Sequence, residues 1–184
     1  MGQDKGLLVY RGSPQVLWLA GLLAELCEAV YVSVNPEQRT VDPYATLPTL
    51  VDRTPDQGPA AGLLAAWEAQ PESAWLVVAV DLPFIDEESL VMLTEARSPL
   101  SRATAFRHPS GVLEPVCAVW EPSARAAVAD RVAAGDRSLR RVLEAGPTTV
   151  LTPPVPGALA SVNTPAEYRE SLATLTGRGS KAPR

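Results

Sequence analysis

The run "AWLVVAVD" at 74–81 limits most what this chain can become. Its apolar side chains follow one another without alternation, so both faces of the segment need cover, and an acid ends it. A strand of that kind belongs in the middle of a parallel sheet covered by helices on both sides. The neighbouring segments fit such a frame. "SPQVLWLAGLLAELCEA" reads as a helix with Ser13 as N-cap and Pro14 at the first helical position. "AVYVSVN" (29–35) is a short β-branched strand ending at Asn35-Pro36, and "TLPTLVD" (46–52) is a weaker extended segment. "GPAAGLLAAWEAQ" (58–70) is a loop entering a helix, and "DEESLVMLTEAR" (86–97) is a helix with acids in its first turn, where the dipole favours them.

The second half loosens the pattern. "RATAFRH" and "LEPVCAVW" read as strands pairing across Pro109-Ser110-Gly111. "EPSARAAVADRVAAG" and "RSLRRVLEAG" are helices ending at glycines, and "TTVLT" is a short strand. "NTPAEYRESLATL" opens with a capping box of Thr164, Pro165 and Glu167. The expected organisation is one domain over 1–176 and a polar, basic, disordered tail over 177–184. Alternating strands and helices make this an α/β layered fold with a mostly parallel sheet.

Charge and cysteine usage narrow the partners. A net charge of −5 argues against a general nucleic-acid binder, which needs a basic face. Cys27 and Cys117 read as buried small hydrophobes in a reducing compartment. No apolar stretch is long enough to span a bilayer, so a cytoplasmic protein without membrane contact is expected. The single histidine, His108, reads as an exposed loop residue. Trp18, Trp67, Trp75 and Trp120 read as packing residues. Arg137, Arg140 and Arg141 form either a solvated face or a contact for an anion.

In an open sheet, ligands gather beyond the carboxyl ends of the strands. Asp81 ends the most apolar strand and suits a hard cation such as Mg2+, with phosphates completing the shell. Asp52 ends the weaker segment on the same rim, as a turn residue or a ligand contact. Gly58 and the small residues after it allow close approach at a helix N-terminus, whether by a ligand or by the helix's own packing. Lys5, on a turn with Gly2 and Asp4, can neutralise phosphate or simply be solvated. Asn35 and Asn163 offer side-chain amides at a strand end and before the last helix.

Together these residues resemble the MobA-like nucleotidyltransferases that guanylate the molybdenum cofactor. The resemblance runs nearly end to end. It rests on Met1-Gly2-Gln3-Asp4-Lys5 with Leu7-Leu8, on Asn35, and on Asp52 with Gly58-Pro59-Ala60-Ala61-Gly62. It continues through Val80-Asp81-Leu82-Pro83, Pro115 to Trp120, Ser138 to Leu143, and Ser161-Val162-Asn163-Thr164-Pro165. It implies a Rossmann-like three-layer fold and transfer of GMP from GTP to Mo-molybdopterin, releasing diphosphate. Lys5 and Asp81 would be catalytic, with Asp81 holding Mg2+. Lys5, Asn35, Asp52, Gly58, Asp81 and Asn163 would bind the nucleotide or its metal, and contact with molybdenum cofactor delivery proteins is implied. Set against that family, the first strand and most of the glycine-rich loop are missing here. A start codon placed too far downstream is one expectation; a true truncation leaving an inactive scaffold is another. A cytidylyl- or sugar-nucleotide transferase is the alternative activity on the same fold.

Overall fold

The computed structural model describes residues 2, 4–51 and 58–179. Strands β1 (Val9–Tyr10) and β2 (Ser13–Pro14) form a small antiparallel hairpin. Helix α1 (Gln15–Ala24) follows directly, so it starts one residue later than an N-cap at Ser13 would have it. Ser13 and Pro14 are spent on the hairpin, and the helix is capped by Pro14 without a side-chain bond. Strand β3 (Val32–Val34) pairs in parallel with β4 (Thr49–Val51), and α2 (Pro59–Ala69) comes next. Strand β5 (Trp75–Val78) and helix α3 (Glu87–Glu95) are followed by the β6 (Ala103–Arg107) and β7 (Leu113–Trp120) hairpin. Helices α4 (Arg125–Ala133) and α5 (Leu139–Glu144) lead to β8 (Thr148–Leu151), and α6 (Pro165–Gly179) closes the described chain.

The α/β class expected from alternation holds. The pairing is mixed rather than mostly parallel: β3 and β4 form a parallel two-stranded sheet, and in the separate four-stranded sheet β6–β8 is parallel whereas β7 runs antiparallel to both β5 and β6. The cause is local. Gly111, at φ +89°, closes a tight return after His108, and two strands joined by so short a turn pair antiparallel. The β6–β8 pair needs a crossover, which α4 and α5 supply.

The layers follow from period-two alternation. Ala103, Ala105, Ala118 and Trp120 face a cluster built with α2, α4 and α5. Phe106, Cys117 and Val119 face the opposite cluster, which Leu19 of α1 and Leu90 and Leu93 of α3 complete. Trp67 and Trp120 are fully buried, each donating its indole N–H to a backbone carbonyl, at Ser73 and Pro115. A smaller cluster of Val16, Val34 and Tyr44 sits near β3 and β4.

Strand β5 is where the architecture departs from expectation. It forms, and its residues alternate between the two clusters, but it is an edge: the strand order is β5-β7-β6-β8. All four of its residues are only half-buried. Ala79 N–H donates to Val116 O, so Trp75, Val77 and Ala79 turn their backbone to β7. Leu76 and Val78 then turn theirs away, toward a cavity of about 360 Å³ that separates β5 from residues 30–33. Helices α1 and α2 line its two faces and Lys5 stands at one end.

Candidate active site

Three distant segments meet at the carboxyl end of β5. Lys5 Nζ donates to Asp81 Oδ2 at 3.0 Å and to Asn163 Oδ1 at 2.5 Å. Both ends of the ion pair keep some exposure, 31% for Lys5 and 24% for Asp81. Asp81 stays there because its own carbonyl accepts from Val162 N–H, which brings 161–163 beside it. Asn163 is fixed by the helix that follows. Glu167 Oε2 accepts from the backbone N–H of Asn163 and Thr164, and Thr164 Oγ1 accepts from Glu167 N–H. The expected capping box is therefore present, and its backbone donors hold the Glu167 carboxyl below its usual range.

Lys5 opens a one-turn 3-10 helix, Lys5–Leu7, capped by Asp4. The Asp4 carboxylate accepts from Gly6 N–H at 2.9 Å, from Tyr44 OH at 2.9 Å and from Gln38 Nε2 at 2.6 Å. Gln38 in turn is paired with Asn35. Its backbone N–H donates to Asn35 Oδ1, and its Oε1 accepts from Asn35 N–H. Asn35 is thus exposed at the end of β3 and joined to the Lys5 turn through Gln38 and Asp4 rather than directly. Tyr44 is buried, and desolvation with the Asp4 bond pushes its hydroxyl well above the usual tyrosine range.

The remaining expected positions fall out as follows. Gly58 caps α2 at φ +60° and ψ −154°, a backbone region for which glycine is suited, and Pro59 beside it lines the same cavity as Lys5 and Asp81. Gly62 is small for packing: a Cβ there would meet Ser33 Oγ at 2.6 Å. Asp52 lies outside the described residues. Of the arginine cluster, Arg141 pairs with Asp136 on the α4–α5 turn, a carboxylate that also holds Arg131. His108, expected to be exposed, is instead half-buried and bonded to Glu114 Oε2 at 2.9 Å, because Glu114 stands across the hairpin turn from it. Cys117 is buried and Cys27 partly so, both as free thiols.

A second brace frames the rim. Arg11, in the left-handed region at φ 54°, donates to Pro83 O and lies 4.0 Å over the Trp18 ring. Tyr168 of α6 donates to Val9 O and meets Tyr10 edge-on. The hairpin is in this way fastened both to the loop after Asp81 and to the helix after Asn163. Gln38, Tyr44 and Arg11 carried no sequence signal, since their partners lie far along the chain.

An ammonium beside two oxygen acceptors at a strand-end rim, with a helix N-terminus opening nearby, suits an anionic ligand carrying a cation. Among the described residues no group of three or more His, Cys, Asp or Glu gathers to make an all-protein metal cage. No described helix is long and apolar enough to cross a membrane.

A molybdenum cofactor guanylyltransferase of Pseudomonas fluorescens SBW25 is 35% identical, with 89% of this chain and 82% of that protein aligned. A molybdenum cofactor biosynthesis bifunctional protein of Synechocystis is 31% identical over 91% of this chain, which spans only 49% of that protein's length. The molybdopterin-guanine dinucleotide biosynthesis protein A of Archaeoglobus fulgidus shares the fold, with a TM-score of 0.79 at 18% identity over 96% of this chain and 92% of that one. Residues 1–150 match the model of the MobA-like NTP transferase domain, and the chain belongs to that nucleotidyltransferase family.

Proposed function

We propose that this protein transfers GMP from GTP to the terminal phosphate of Mo-molybdopterin, releasing diphosphate, as a cytoplasmic step of molybdenum cofactor biosynthesis. The observation that carries nucleotidyl transfer is the meeting of Lys5, Asp81 and Asn163 from three separate segments. Guanine and molybdopterin as substrates are favoured by the names of the relatives. An acceptor phosphate oxygen forms the new bond to the α-phosphorus while the bond to diphosphate breaks. Such a transfer asks for alignment and charge neutralisation more than for covalent help.

Lys5 leaves its present partners to balance charge on the triphosphate. Asn35, with its carbonyl already accepting from Gln38 N–H, presents its amide NH2 to the base. Gly58 admits the ligand backbone-close, and Asp52 places the nucleoside. The fit to Mg2+ rests on donor chemistry: Asp81 Oδ2 and Asn163 Oδ1 are hard oxygens already converging on one cation, the Lys5 ammonium. Bound there, Mg2+ would stabilise charge on the α-phosphate, with phosphate and water oxygens completing its shell.

The test is diphosphate release from GTP with Mo-molybdopterin and Mg2+. Asp81→Asn is expected to lower turnover by at least about a hundredfold while leaving the fold intact. Thermal protection by CTP with Mg2+, and none by GTP, would remove the guanylyl assignment.

A further inference from the structure

We infer that Asp4 is a positioning residue that couples the turn bearing Asn35 to the turn bearing Lys5, so that base and phosphate contacts form together. The inference rests on the roles proposed for Asn35 and Lys5. As an N-cap, Asp4 needs only its bond from Gly6 N–H. It takes two further donors, from Gln38 and Tyr44, which lie 34 and 40 residues along the chain. Each carboxylate oxygen is thereby engaged: Oδ1 by Gly6 and Tyr44, Oδ2 by Gln38.

The geometry leaves little slack. Tyr44 hydroxyl lies so close to buried Gly6 that a Cβ there would fall 2.3 Å from it. Gln38 uses its two side-chain ends on different turns, one on Asn35 N–H and the other on Asp4. A shift of Asn35 on meeting a base is transmitted through Gln38 to Asp4 and so to the residue next to it, Lys5. Hydrogen bonds to a charged carboxylate are the stronger kind, which makes this link stiffer than a surface contact between neutral groups.

Gln38→Glu is the cleanest test, because it keeps the acceptor for Asn35 N–H and sets a carboxylate against Asp4. Asp4→Asn is the companion variant, and thermal unfolding checks that both fold. Guanosine and GTP affinities are measured side by side, by ligand-observed NMR and calorimetry. Both variants are expected to reduce the GTP-to-guanosine affinity ratio by about tenfold while guanosine binding stays within about twofold. A merely structural role would weaken both ligands equally, and that outcome, or an unchanged ratio, overturns the coupling. If the parent protein binds GTP no better than guanosine, the placement of phosphate at Lys5 fails and the coupling fails with it.

Discussion

The two flanks of the sheet are built from similar residues and end in different states. Around β7, strands pair on both edges, helices cover both faces, and four of the five β6 residues are buried. Around β5, an equally apolar strand pairs on one edge only and every residue stays half-buried beside the cavity. Hydrophobicity alone therefore does not decide burial. What differs is whether a neighbour satisfies the second row of backbone groups. The residues proposed to act on the nucleotide collect on the less complete flank, where Lys5 and Asp81 line the cavity's end.

The contrast is sharpest for tryptophan. Trp120→Ala on the closed flank is expected to cost about 3–5 kcal/mol in urea unfolding, and Trp75→Ala on the open flank less than half as much. Equal losses would mean the flanks do not differ in packing. Enlarging alanines should reverse sign across the molecule. Ala118→Leu, at a fully buried site, is expected to destabilise by about 1–3 kcal/mol, whereas Ala20→Leu, which lines the cavity, should stabilise by about 0.5 kcal/mol. Thermal midpoints of the two variants check this, and a loss at both positions would show that the cavity cannot accept the added side chain.

The smallest effect concerns pH at the rim. The Glu167 carboxyl titrates below its ordinary 4.5 because backbone donors hold it ionised. Its contribution is thus complete above that ordinary value and disappears as the pH falls through the lowered one. Between about pH 6 and about pH 3 the thermal midpoint of the parent should drop slightly more than that of Glu167→Gln. Identical drops would detach the capping box from the placement of Asn163.

Much of this was legible in the sequence, and the gaps have physical causes. Asp81 follows from the rule that ligands gather at strand carboxyl ends, and the hairpin at Gly111 and the box at Thr164 follow from turn and cap chemistry. Apolar periodicity states that β5 wants cover on both faces, but not which strand supplies its edges, so its place in the order could not be read. Lys5 and Asn163 could be picked out as candidates from their residue type and position, but only the ordered motifs gave them roles, because neither residue type is informative alone. The Asp4, Gln38 and Tyr44 cluster depends on a tertiary approach for which no local pattern exists. Ser13 was misread as a cap because a hairpin competes for the same two residues.

The bridge from Lys5 to Asp81 and Asn163 also bears on selectivity among simple ions. A lysine already shared by two acceptors gives an incoming anion only the difference between old and new partnerships. On that footing, bare phosphate or sulfate would be held weakly. Under the proposed function, a ligand that brings its own divalent ion would offer it to the two released oxygens, and so the rim would prefer metal-complexed nucleotides to the free anions around them.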